Sequence, residues 1–254
     1  MKPYYLLSLI LLLLTIGSKT FSQEEQNGKG QQLKLTADLV SSFVWRGSLS
    51  TKNPIPSFQP TMSWTHKAIE IGVWGSTGLI DDYKEIDPYL SFSINNIKLT
   101  VTDYNWDFEK ANYFNFKNSE TRHRIEGSIT YSGSEKFPIS LSLSTFFYGC
   151  DKKAEVSTRQ AFSTYVELGY SYGITNFFFG FTPWKSLYNN YGTTTFDASA
   201  SQKNFSIVNI GSTVTKEFKI NDKLVLPIKG SLIVNPSASY SRKDFVHLVV
   251  SVTF

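Results

Sequence analysis

From Leu33 to the end of the chain, apolar residues return at every second position. Leu33, Leu35, Ala37 and Leu39, then Phe43 and Trp45, share one parity, while Lys34, Thr36, Asp38, Ser42 and Arg46 take the other. A side-chain period of two is the signature of a β-strand with two unlike faces. The alternation recurs in Ile86, Leu90, Phe92 and Ile94 against Glu85, Asp87, Ser91 and Ser93, and in Ile97, Leu99 and Val101 against Lys98, Thr100 and Thr102. It returns in Val166, Leu168 and Tyr170 against Tyr165, Glu167 and Gly169, and again from His247 to Phe254. No segment of the mature chain carries a helical period. The pattern predicts twelve strands, starting near Leu33, Pro56, Lys67, Tyr83, Ile97, Thr121, Phe137, Gln160, Asn176, Asn204, Leu224 and Phe245. Most are longer than the ~5–6 residues of a globular strand and match the ~9–11 of a tilted, membrane-spanning one.

The connections alternate in length. Thr65–Ala68, Asn95–Asn96, Ser132–Lys136, Gly173–Thr175 and Lys219–Lys223 are tight, whereas Ser48–Ile55, Ser76–Tyr83, Asn105–Glu120, Cys150–Arg159, Trp184–Lys203 and Pro236–Asp244 are long. An even-stranded, antiparallel up-and-down barrel with both termini on one side has this pattern. The polar parity holds Ser, Thr, Gly, Tyr and sparse charges, which suits a wet, confined lumen and turns the apolar parity toward lipid. Closure satisfies every backbone group internally, as a chain in hydrocarbon requires. Aromatics gather near the strand ends: Trp45, Trp64, Tyr104, Trp106, Tyr131, Phe147, Phe162, Tyr172, Phe177 and Trp184. Interfacial girdles are the expected use of such rings.

The first residues read as an address. Lys2 precedes an almost unbroken apolar run from Leu6 to Ile16, and Thr20-Phe21-Ser22 offers small residues where a signal peptidase cuts. The expected organisation is a signal peptide over 1–22, a flexible lead-in over 23–32 and an outer-membrane β-barrel over 33–254, with both termini periplasmic. The run is too short for a spanning helix, which needs ~18 apolar residues or more.

Composition narrows the chemistry further. The formal charge is +4 and spread along the chain, so a nucleic-acid partner is not expected. A single cysteine, Cys150, and three unpaired histidines, His66, His123 and His247, give no disulfide framework and little from which to build a metal centre. No cofactor, metal or catalytic residue is assigned, and the chain is not read as an enzyme. By parity, charged side chains enter the lumen in balanced numbers. The candidates for its lining or constriction are Arg46, Glu70, Glu85, Asp87, Arg124, Glu126, Glu167 and Lys229. They serve either as a salt-bridge ladder that props or fills the barrel, or as a filter for small polar solutes. The Trp184–Lys203 loop is a candidate to fold inward. Two alternatives to a narrow passive channel stay open: a non-conducting structural or surface-recognition barrel, and a barrel-embedded hydrolase. For the hydrolase, His123 and Asp103 have lipid-facing parity, but Thr145 stands where a serine is needed and Ser144 points inward.

The mature chain resembles the TorF-type porins of Gram-negative outer membranes, as a divergent member. The resemblance lies in Val44-Trp45-Arg46-Gly47 followed by Pro56-Ser57-Phe58-Gln59-Pro60, in Glu85-Ile86-Asp87-Pro88-Tyr89 and Val101-Thr102-Asp103-Tyr104, and in Gly180-Phe181-Thr182-Pro183 with Tyr188, Asn209-Ile210-Gly211 and Asn235-Pro236. Thr65-His66-Lys67-Ala68 departs from the Ser-Gly-aromatic turn expected before the third strand. The resemblance implies a small outer-membrane barrel and carries no catalytic signature. Phe254, with apolar residues at alternate positions before it, resembles the terminal signal that barrel-assembly machinery reads. The expected partners are therefore outer-membrane lipid, that machinery and small polar solutes.

Overall fold

The computed structural model describes residues 31–51, 53–106, 112–117, 120–153, 156–184, 186, 205–221, 224–238 and 245–254. Twelve strands close into one antiparallel barrel. They are β1 (Gln31–Val40), β4 (Ser57–His66), β5 (Ile69–Gly78), β6 (Lys84–Ile94), β7 (Ile97–Tyr104), β8 (Arg124–Tyr131), β9 (Ile139–Gly149), β12 (Thr164–Tyr172), β13 (Thr175–Thr182), β14 (Ser206–Asn221), β15 (Leu224–Val234) and β16 (Val246–Thr253). Two small hairpins lie in the connections: β2 (Val44–Trp45) with β3 (Ser48–Leu49), and β10 (Lys152–Lys153) with β11 (Val156–Gln160). Around the wall the order is β1, β4, β5, β6, β7, β8, β9, β12, β13, β14, β15, β16, and β16 returns to β1. All twelve predicted strands are present, and the widest disagreement over a start is between Gln160 and Thr164.

The seam between first and last strands is short. Asp38, Leu39 and Val40 face Thr253, Val252 and Ser251, and Ala37 and Phe254 exchange backbone bonds at 3.2 and 2.9 Å. Phe254 thus helps close the ring. Gln31 and Gln32, expected in the lead-in, belong instead to β1, because their backbones pair with His66 and Thr65 of β4.

The two faces of the wall differ as the alternation demands. Leu35, Met62, Ile71, Leu90, Leu99, Leu141, Leu168, Leu232 and Val250 all project from the outside of the barrel and are exposed. Ser57, Gln59, Ser63, Ser76, Ser91 and Ser144 point inward and are buried. A polypeptide in water does the reverse, since burying apolar area stabilises by roughly 25 cal/mol per Å². Apolar patches on soluble monomers rarely exceed a few hundred Å², whereas here the outward residues of every barrel strand contribute to one belt.

One end of the barrel, the turn end, carries the tight connections at Lys67-Ala68, Asn95-Asn96 and Gly173-Ile174. The other, the loop end, carries the long ones. Most of the Trp184–Lys203 loop, residues 1–22 and 23–30 lie outside the described residues.

Candidate functional site

The described connection that enters the barrel is the one from β1 to β4. The strand stops at Val40, and Ser41 and Ser42 lead into the β2–β3 hairpin, whose two turn residues, Arg46 and Gly47, both have positive φ (49° and 81°). Two such residues make the turn whose twist matches that of a tight hairpin. Gly47 also touches the far wall, since a Cβ there would lie 1.9 Å from the Val208 carbonyl oxygen. Phe43 and Trp45, expected to face lipid, and Tyr104 and Trp106, expected in a girdle, are not on the outside. Once the chain leaves the wall at Val40, parity counted from β1 no longer fixes the direction of Phe43 and Trp45. Tyr104 lies on the inward parity of β7. It packs its ring on Trp45 at 5.2 Å and on Phe146 at 5.7 Å, and Trp106 meets Trp45 at 6.0 Å. Trp64, Phe147, Phe162, Tyr172, Phe177 and Trp184 do project outward.

Arg46 crosses the lumen. Its two terminal nitrogens donate to the two carboxylate oxygens of Glu126 on β8, at 2.6 and 2.8 Å, and the guanidinium lies 4.7 Å from the centre of the Tyr165 ring on β12. Paired parallel bonds of this kind fix both partners in angle as well as distance. Tyr104 Oη donates to the same carboxylate at 3.3 Å. Beside it, Tyr165 Oη donates to Glu167, and the Asn209 amide nitrogen donates to Tyr165 Oη and Glu167 at 2.9 and 3.0 Å. Arg124 stacks on Trp106 at 4.1 Å, and Glu85 and Asp87 stand on β6, where Asp87 accepts the Asn105 backbone N–H.

Two β-bulges build the surface against which the hairpin rests. Between Ile125 and Glu126 the register slips, so that Glu126 faces Phe146 and Phe147 is the extra residue. Between Gly180 and Phe181 a second slip makes Val208 the extra residue. Phe146 and Val208 are completely buried, and with Tyr165 they form the apolar cluster under Trp45. Bulges re-aim side chains in this way beside functional sites.

Six of the eight candidate residues thus gather at the loop end: Arg46, Glu85, Asp87, Arg124, Glu126 and Glu167. Glu70 stands apart toward the turn end, accepting from Lys98 at 3.2 Å and from Tyr89 at 2.7 Å. Lys229 is on the inward face of β15, opposite Thr215 and Ser251, and joins neither group. At the loop end four carboxylates meet two guanidiniums, so the balance read along the whole lumen does not hold there. Trp45, Gly47, Tyr104, Phe146, Tyr165 and Asn209 escaped the sequence reading as site residues. An Arg-Gly pair between two short apolar runs, and a tyrosine on the polar parity at Tyr165, were the available signals.

Outside the wall, His123, on the lipid-facing parity, is buried. Its Nδ1 meets Asp103 at 2.7 Å, its Nε2 meets the Tyr113 carbonyl, and its ring stacks on Phe116 at 4.2 Å. Among the described residues, neither nitrogen is bonded to a hydroxyl. A further pairing closes the connection before β12, where Asp151 accepts from the Ser163 hydroxyl and backbone at 2.6 and 2.8 Å. Burial pushes the Asp151 carboxyl above its ordinary range, and the Ser163 bonds pull the other way.

Fold and site together define a class: a closed twelve-stranded barrel, apolar outside and polar inside, with its first long connection packed into the lumen. No protein-family model matches the chain, and no curated protein matches it.

Proposed function

We propose that this chain is an outer-membrane barrel whose lumen forms a narrow passage for small polar solutes, constricted at the loop end by the β2–β3 hairpin. The belt of exposed Leu, Ile, Val and Phe around the barrel carries this reading, because water gives such a surface no favourable partner and acyl chains do. The apolar leader over 1–22, the alternation of short and long connections and the Phe254 seam support export, periplasmic termini and recognition by barrel-assembly machinery. The TorF-type porins are the family this reading proposes. No nucleic-acid partner, cofactor or catalytic residue enters it.

Twelve strands lie between the ~8 of a barrel filled by its own side chains and the ~16–18 of a wide aqueous channel, so a single inserted hairpin is enough to narrow the lumen. That same packing favours the second reading, a non-conducting structural or recognition barrel. Planar-bilayer recording separates the two. Small, steady conductance steps from folded protein support the passage, and silence from protein shown to be folded and inserted supports the closed barrel.

A further inference from the structure

Glu85 and Asp87 project from the same inward face of β6 and are 5% and 3% exposed. Tyr83 Oη and the Trp106 side chain donate to Glu85, and the Asn105 backbone N–H donates to Asp87. Among the described residues no Lys or Arg forms an ion pair with either carboxylate. The nearby guanidinium, Arg124, sits over the Trp106 ring and attracts Glu85 without an ion pair to it. Asp103, behind the wall, adds negative potential at Asp87 and is itself engaged by His123. The two carboxyls also hydrogen-bond to each other, so a shared proton relieves their proximity, and a cation bound there takes that proton's place.

A separate observation points to a ligand in place of that proton. Ser76 of β5 is the register partner of Glu85, so its side chain shares the inward face beside it. It is 5% exposed and its Oγ has no hydrogen-bond partner. The aromatic cover over this corner comes from Phe43, ahead of the hairpin, which packs on Trp74 at 5.4 Å and on Tyr83 at 6.1 Å. Oxygen atoms alone, two of the groups carboxyls that give up their shared proton as an ion binds, are the donor set of a hard cation.

We propose that Glu85, Asp87 and Ser76 hold a partly hydrated divalent cation, Ca2+ in preference to Mg2+, inside the lumen beside the hairpin. Ca2+ is favoured because it accepts irregular oxygen cages, while Mg2+ demands a near-ideal octahedron. With three protein groups the rest of the shell is water. The site therefore belongs with the weak ones, with a Kd on the order of 10⁻⁴–10⁻³ M.

The test uses the full mature chain folded in detergent, with Tb3+ as the probe, since Trp74 faces Asp87 across the β5–β6 pair and can sensitise its emission. Saturable tryptophan-excited emission, one ion per chain and displaced by Ca2+, is expected. Asp87→Asn and Glu85→Gln each weaken it by about tenfold or more, because affinity follows the number of charged ligands. Ser76→Ala weakens it less, and Glu70→Gln leaves it unchanged. Absence of saturable emission from the folded parent chain overturns the proposal, as does emission indifferent to Asp87→Asn. Should the carboxylate variants fail to fold, the parent titration and Ser76→Ala still decide. The cation site does not rest on conduction, and a barrel that binds Tb3+ without passing current contradicts only the channel.

Discussion

Arg46 and Glu126, 80 residues apart in sequence, meet across the lumen through two bonds of 2.6 and 2.8 Å. Glu126 is almost fully buried and Arg46 mostly so. Removing one member strands the other, which costs about 3–5 kcal/mol for a buried pair. Arg46→Ala and Glu126→Gln are therefore expected to lower the urea midpoint of unfolding and, in bilayers, to raise single-channel conductance as the hairpin loosens. The charge-swapped double variant recovers part of both. Unchanged conductance in the single variants would remove the hairpin from its role as the constriction.

Gly47 tests the same contact without touching charge. A Cβ there meets the Val208 carbonyl oxygen at 1.9 Å, with φ in a region that L side chains rarely adopt. Gly47→Ala is expected to cost about 1–3 kcal/mol and to increase conductance in the direction of Glu126→Gln. The checks are an unfolding curve and a bilayer recording.

Strand number, strand alternation and the segregation of loop lengths were legible because each depends only on local period and turn chemistry. Ile97, Leu99 and Val101 could be assigned to the outside from their spacing alone. The hairpin was not legible. Its apolar residues continue the parity of β1, and nothing local says that the chain leaves the wall at Val40. Phe146 and Val208 were hidden for a related reason: a bulge shifts register by one residue, and its position depends on the strand opposite. Of the site, Arg46, Glu126 and Glu167 are legible as charges on the polar parity and Tyr165 as a ring on that same parity, while Trp45, Tyr104 and Trp106 read as girdle aromatics.

The exterior supplies a test of solvent. Leu168 lies on the outward face of β12, exposed. Leu168→Arg is expected to destabilise the barrel in liposomes by ~2–4 kcal/mol if this position lies near the bilayer midplane. In a barrel surrounded by water the same substitution is neutral. Folding efficiency into vesicles measures the difference.

Cys150 is predicted to be slow toward maleimide. Burial pushes its thiol above the ordinary range, and the thiol donates to the Arg122 carbonyl at 3.3 Å, so little thiolate is present at neutral pH. Labelling is expected to accelerate on unfolding in urea. Equal rates in folded and unfolded protein would contradict the packing at the start of that connection.

The His123–Asp103 pair fixes the segment carrying Tyr113 and Phe116 against the outside of the wall. Asp103→Asn removes the charged acceptor, and trypsin is then expected to cut faster after the exposed Lys117. An unchanged rate would mean that the aromatic contacts alone hold the segment.

The most direct measurement is a spin-label scan of β7 from Ile97 to Tyr104, in a Cys150→Ser background reconstituted into vesicles, reading collisions with oxygen and with a water-soluble nickel chelate. The account predicts a period of two: oxygen favoured at Ile97, Leu99 and Val101, which meet acyl chains, and no such preference at Lys98, Thr100 and Thr102, which face the lumen. Nickel access at the outward positions equal to that of a label in water would contradict it.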